Sequence, residues 1–393
     1  MKSFNTILSI FLIIVTNQLY SQQRIPFIYK ENKRVYVEVN VNDSTEKLLF
    51  FFDTGATSPM IDLKVAQKLG IQPTLQETFS GASGEKIFQL AEGQSLTFSD
   101  KVKLENLDFI MDDMSRLNES TGLNFDGIIG YELLNSFVTV MDFDKKEFIL
   151  FNDISQVDLK EYVPHPFTWT EEIPIPHYPL TIKLDNNKSY SGIVLFDSGA
   201  GLGLLINTKF QQEHDLMSQF NKKIIGSSND LTGKGQVLVS TIASMKFLDY
   251  TFEQRMNTHI ASDESGVSAM PGYLGILGAE IINRFNYVFD YKNMTIYAKP
   301  NESFVIPFKT DFAPLGLILK NNEIEINHIV PDTNAAKAGI EVGDIILTLN
   351  NKKPADIFEA RELLLQTGKK VKLKLKKANN TIEVKEILIQ EIL

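Results

Sequence analysis

The sequence predicts a mostly-β protein: two similar lobes in one chain, related by a pseudo-twofold, followed by a small α+β domain. Three observations predict it. An ungapped internal repeat ties two long segments together, alternating apolar–polar runs recur in both of them, and the pattern changes near Ser303. The chain of 393 residues suits two or three domains rather than one.

The repeat comes first. Gly130-Tyr-Glu-Leu-Leu-Asn-Ser-Phe-Val-Thr-Val-Met-Asp142 aligns without a gap on Gly278-Ala-Glu-Ile-Ile-Asn-Arg-Phe-Asn-Tyr-Val-Phe-Asp290, with six of thirteen positions identical. Upstream, Leu48 to Phe52 lead into Asp53-Thr54-Gly55-Ala56, and Ile193 to Phe196 lead into Asp197-Ser198-Gly199-Ala200. Asp53 and Gly130 stand 77 residues apart, and Asp197 and Gly278 stand 81 apart. A period this long means two similar domains, since repeat arrays use far shorter units.

Next come the elements. Arg34 to Val41 alternates apolar and polar residues, the mark of a half-buried strand, and similar strands are expected at Tyr178–Leu184, Thr139–Phe143 and Tyr287–Tyr291. Helices are expected at Asp62–Leu69 and, behind an Asn207 or Thr208 cap, at Lys209–Asp215. The proline-rich stretch Pro164–Pro179 marks the join between the halves or the opening strands of the second. The boundaries read as 22–157 and 158–302 for the lobes and 303–393 for the last domain.

Composition narrows the function. A formal charge of −10 disfavours nucleic acid as a partner, because phosphate binding needs clustered Lys and Arg. Without cysteine there are no disulfides, thiol nucleophiles or cysteine-based zinc sites, and the five histidines are scattered; no metal or organic cofactor is expected. Residues 1–21 read as a secretory signal peptide: Lys2, an apolar run from Ile7 to Val15, and a polar end at Ser21. That run is too short to cross a bilayer comfortably, so export to a periplasm or the outside is expected, with membrane contact only if the segment stays uncleaved.

The Asp-Thr/Ser-Gly triplets carry the chemistry. One copy would be an ordinary strand-to-turn junction. Two copies, each after a buried-looking strand and each followed by an apolar-apolar-glycine element, are not. A carboxylate at the end of an apolar strand is costly unless hydrogen-bonded or sharing a proton. Glycine lets backbone N–H groups approach it, and Thr54 and Ser198 supply hydroxyls that can lock the loops together. Two close carboxylates keep one proton between them, so one serves as base toward water and the other as acid toward a carbonyl.

This pattern resembles pepsin-like and retropepsin-like aspartic peptidases, closest to bacterial retropepsin-like proteins with a PDZ domain. The resemblance spans about residues 25–300 and implies an acid-protease-like β-barrel in each lobe, with Asp53 and Asp197 catalytic and Thr54, Gly55, Ser198 and Gly199 supporting them. It implies that Ile128-Ile129-Gly130 and Ile276-Leu277-Gly278 thread behind the loops, that Ala56–Ile71 matches the family's helix region, and that the unit is a monomer. Flaps are expected at Gly81, Ser83 and Gly84 in the first lobe and at Gly226 and Ser227 in the second, the latter continuing through Gly233-Lys234-Gly235. Ala56 and Ala200 replace the hydroxyl residues frequent in pepsin-like loops, so the dyad should hold its proton higher, with a mildly acidic to neutral optimum.

Beyond Ser303, Ala338-Gly339-Ile340 and Gly343-Asp344-Ile345-Ile346, with a helix over Asp356–Leu365 and a strand Val371–Lys376, resemble a bacterial PDZ domain. The resemblance implies a peptide C-terminus held at Leu315, Gly316 and Leu317, the peptide adding as a strand beside the helix. The lysine-rich strand is expected at a solvated sheet edge. The reading is an aspartic endopeptidase for exported peptides or proteins. The alternatives are a catalytically silent peptide-binding protein and a PDZ scaffold of the cell envelope; serine chemistry through Ser198 lacks a partner histidine.

Overall fold

The computed structural model describes residues 22–30, 33–229 and 233–393. The segment read as a signal peptide lies outside the described residues, and among these no helix is long and apolar enough to cross a membrane.

The chain is mostly β, and the two lobes share a central antiparallel sheet. Its six strands run Val163–Pro166, Thr295–Pro300, Phe285–Asp290, Val138–Asp142, Glu147–Phe151 and Gln23–Tyr29. Val140 faces Val288, with Met141 opposite Tyr287 and Thr139 opposite Phe289. The sequence repeat equates Val140 with Val288, so repeated strands meet crosswise at the pseudo-twofold. The proline-rich stretch serves both expected uses: Val163–Pro166 edges this sheet, and His177–Lys183 opens the second lobe.

Each lobe closes around aromatic side chains. Phe50, Phe52, Phe109 and Phe148 fill the first, Phe196, Phe247, Phe285 and Phe289 the second, all fully buried in one continuous core. Burying each contributes roughly 1.5–3 kcal/mol, so this core holds the lobes as one body. The helices form where their caps stand. Asp62 accepts from Lys64 N and Val65 N ahead of Leu63–Lys68, Asn207 caps Thr208–Glu213, and Asp356 caps Ile357–Leu364.

The last domain has its own core around Leu317, Ile326, Leu349 and Leu373. Its sheet runs Leu315–Lys320, Glu323–Ile329, Ile345–Leu349, Lys370–Lys376, Ile382–Leu388. The lysine-rich strand is therefore internal, not an edge: Val371, Leu373 and Leu375 point into the core, and the intervening lysines cover the solvent face. Gly339 and Gly343 take φ of 72° and 95°, left-handed turns that disfavour a side chain. The linker is fastened by Arg284, whose Nη1 donates to the carbonyls of Ser303, Phe304 and Ile306 and whose guanidinium stacks 3.7 Å over Phe308.

Candidate active site

Both Asp loops are built alike. Leu48–Phe52 pairs in parallel with Gly127–Ile129, and Asp53 N donates to Ile129 O at 2.9 Å. Ser189–Phe196 pairs in parallel with Tyr273–Leu277, and Asp197 N donates to Leu277 O at 3.0 Å. Ile128 and Leu277 lie in the strands that pair with those leading into the loops, and Gly130 and Gly278 follow them. A Cβ on Gly130 would lie 1.8 Å from Asp53 O, and one on Gly278 2.3 Å from Leu202 O. Neither position has room for a side chain.

The loops interlock across the pseudo-twofold. Thr54 N donates to Ser198 Oγ at 3.0 Å, and Ser198 N returns the bond to Thr54 Oγ1 at 2.9 Å. Thr54 Oγ1 in turn donates to Phe196 O at 2.9 Å. Both hydroxyl residues are buried, so losing either partner would strand a buried polar group.

Each carboxylate accepts backbone hydrogen bonds. Gly55 N donates to Asp53 Oδ1 at 2.7 Å; Gly199 N lies 2.8 Å from Asp197 Oδ1 and 3.1 Å from Asp53 Oδ1; Ala200 N donates to Asp197 Oδ1 at 3.0 Å. The glycines also face the opposite lobe. A Cβ on Gly55 would stand 2.7 Å from Asp197 Cγ, and one on Gly199 2.2 Å from Asp53 Oδ2. The two carboxyl groups meet, each half-buried and within hydrogen-bonding reach of the other. Burial holds Asp53 well above the ordinary carboxylate range, and the Asp197 charge raises it further. Burial raises Asp197 too, against the backbone donors of Ala200 and Gly199. The pair keeps a proton into the pH range where free carboxylates have lost theirs.

The sequence reading did not single out Arg34. Its guanidinium lies where a Cβ on Gly201 would be 2.8 Å from Nη1, and its charge bears on both aspartates, lowering their proton affinity. It sits in the turn entering an ordinary-looking strand, so local pattern carries no sign of it.

The residues read as the first flap, Gly81, Ser83 and Gly84, lie in the tip of a hairpin of Leu75–Ser80 and Glu85–Ser99. The tip contacts the second lobe: Val267 N donates to Gly81 O at 3.0 Å and Ser268 N to Ala82 O at 2.9 Å. The second hairpin pairs Ile224–Asn229 with Lys234–Ile242. Gly226 and Ser227 are not at its tip. Pairing continues past them to Asn229 and Lys234, and the turn residues 230–232 lie outside the described ones. A Cβ on Gly226 would meet Val239 Cγ2 at 3.2 Å, with Phe312 of the last domain in ordinary contact at 3.7 Å.

Leu315, Gly316 and Leu317 lie in the outermost strand of the last domain's sheet, where a bulge falls between Gly316 and Leu317. The Leu315 and Leu317 side chains point into the core, leaving backbone groups to face outward.

Residues 37–133 match the family model of an aspartyl protease, and residues 325–377 match that of a PDZ domain. The first match contains Asp53 and its loop; the counterpart around Asp197 is tied to it by the repeat and by the geometry above. No curated protein matches the chain significantly.

Proposed function

We propose that this chain, with its aspartyl protease and PDZ domains, is a monomeric aspartic endopeptidase acting on exported proteins or peptides. The observation that carries the reading is the meeting of Asp53 and Asp197: two loops of one design, locked by reciprocal Thr54–Ser198 bonds, bring two carboxyl groups to one point. A pair that shares one proton suits acid–base hydrolysis. The ionised partner takes a proton from a water held between them as its oxygen attacks the scissile carbonyl. The protonated partner hydrogen-bonds to that carbonyl oxygen. The tetrahedral intermediate collapses when the amine nitrogen gains a proton and the C–N bond breaks, with no covalent enzyme intermediate. The reading places the scissile peptide beneath the first flap, whose strand edge would align an extended backbone. The apolar run of residues 7–15 supports export, and the PDZ domain would hold a partner's C-terminus.

The test is cleavage of a denatured protein by residues 22–393 between pH 3 and 8, beside Asp53→Asn and Asp197→Asn. Either substitution is expected to lower kcat by at least about 1,000-fold, since each removes one member of a pair acting as a unit. Cleavage surviving both changes would remove the dyad from the reaction. Peptide binding without cleavage by the unsubstituted chain would leave a binding protein.

A further inference from the structure

The groove of the PDZ domain is not open. Leu315–Lys320 is the edge strand of its sheet, and Ile357–Leu364 is the helix beside it. Into the space between them comes a short helix of the first lobe, Ser115–Thr121, which packs against the edge strand. Its cap, Gly122, has φ of 78° and presses on the PDZ helix: a Cβ there would stand 2.5 Å from Ile357 Cγ2 and 3.5 Å from Phe358 Cζ. Arg361 seals the contact. Its Nη2 donates to Ser120 O at 2.8 Å and to Leu317 O at 2.8 Å, and its Nη1 reaches Thr121 O at 3.5 Å. One guanidinium therefore joins the last carbonyls of the lobe's helix to the edge strand.

A peptide adding to that edge needs the outward backbone groups of the strand and the space beside the helix. The corner packs on the edge strand, Gly122 lies against Ile357, and the Ser120 and Thr121 carbonyls hold Arg361, whose Nη2 also donates to Leu317 O, so corner and peptide compete for the space between strand and helix. The contact also leads to the catalytic floor. Asn118 Nδ2 donates to Phe125 O and Phe125 N to Asn118 Oδ1, both at 3.1 Å. Asp126 Oδ2 then accepts from Leu49 N at 2.8 Å, and the next residue opens the strand whose Ile129 O holds Asp53 N. On the other lobe His328 Nε2 lies 2.9 Å from Ile225 O, and Leu393 packs on Val237 and Val239, so the PDZ domain touches the second hairpin as well.

We propose that the groove between Leu315–Lys320 and Ile357–Leu364 is a shared docking surface: the Ser115–Gly122 corner holds it at rest, and an extended peptide with an apolar last residue and a free carboxylate displaces that corner. Displacement releases the segment leading into the strand behind Asp53, so groove and active site are coupled. The inference rests on the peptide-binding reading of the PDZ domain and not on cleavage.

The test uses residues 22–393 and fluorescein-labelled decapeptides ending in Val, Leu, Ile or Phe, with C-terminally amidated forms as controls, and reads anisotropy. Gly122→Ala sets a methyl against Ile357 Cγ2 and wedges the corner away from the groove, and is expected to tighten binding about tenfold, within the usual span of such couplings. Bound peptide should speed amide exchange over 115–126. Because the chain has no cysteine, Gly122→Cys with Ile357→Cys can be compared oxidised and reduced in one protein; the oxidised form should lose binding and the reduced form keep it. Equal binding by unsubstituted, Gly122→Ala, oxidised and reduced proteins overturns the shared surface while leaving the domain a peptide receptor. No binding by any of them overturns both. Neither result touches the cleavage assay.

Discussion

Glu132 sits one residue beyond Tyr131, whose N–H holds Ala56 O and so braces the Asp53 loop. Burial pushes its carboxyl from an ordinary 4.5 to about 7, and Oε2 has no hydrogen-bond partner among the described residues. Folding favours its neutral form, so the stability it contributes is whole below 4.5 and is lost as pH rises through about 7. Glu132→Gln is therefore expected to stabilise the chain at pH 8 by up to about 3 kcal/mol, at roughly 1.4 kcal/mol per pH unit, and to change little at pH 4. Urea unfolding across pH 4–8 checks it; a variant whose stability runs parallel to the parent's would remove Glu132 as the titrating group. At this scale the two Asp loops were legible because the chemistry proposed for them demands fixed residue types in sequence: an acid, a hydroxyl and a glycine, twice. Glu132 appeared only as a repeated letter with Glu280, and Arg34 only as the first residue of an alternating strand, because burial and long-range charge are set by residues far away in the chain.

The first flap shows the same limit among elements. Its hairpin was readable from the small residues Ser80 to Gly84, but its docking was not, since backbone groups make the contact and impose no side-chain pattern. The partner loop turns on Gly266, at φ 81°, where a Cβ would lie 2.4 Å from Gly84 N and 2.7 Å from Ala82 O. Those are backbone atoms on both sides and cannot rotate away. Gly266→Ala is thus expected to lift the tip, raise amide exchange at 81–84 and raise KM several-fold with a smaller change in kcat, because closure positions substrate before the chemistry. Unchanged exchange at the tip would show that the latch does not hold it. Capped helices were the opposite case: Asp62, Asn207 and Asp356 announce their helices locally and cap them in the fold. The Lys370–Lys376 strand was misplaced as an edge because lysine alternation marks one solvated face, and an internal strand of a one-sided sheet has such a face too.

At the scale of the whole molecule, the crossing of Val138–Asp142 and Phe285–Asp290 decides how many chains make one site. The repeat alone is compatible with lobes that pair between chains. The central sheet instead joins both lobes of one chain, and Asn286 Oδ1 accepts a buried bond from Phe143 N at 2.8 Å while its Nδ2 donates to the exposed Asp144 Oδ2 at 2.7 Å across the same seam. Tyr287, Phe285 and Phe289 are fully buried there. Separating the lobes would expose these rings at roughly 25 cal/mol for each square ångström and leave the sheet's inner strands unpaired. Exchange of lobes between chains should therefore not occur on the time scale of an assay. Mixing Asp53→Asn with Asp197→Asn tests this directly: each retains one intact lobe, so exchange would rebuild a complete pair in up to about a quarter of the sites, counting the four equally weighted lobe combinations. The expected result is no activity above that of either variant, at any protein concentration and after prolonged incubation, while the unsubstituted chain shows specific activity independent of dilution. Recovery of activity on mixing would place the working pair between chains and make the PDZ domain, which touches both lobes, a bridge between subunits.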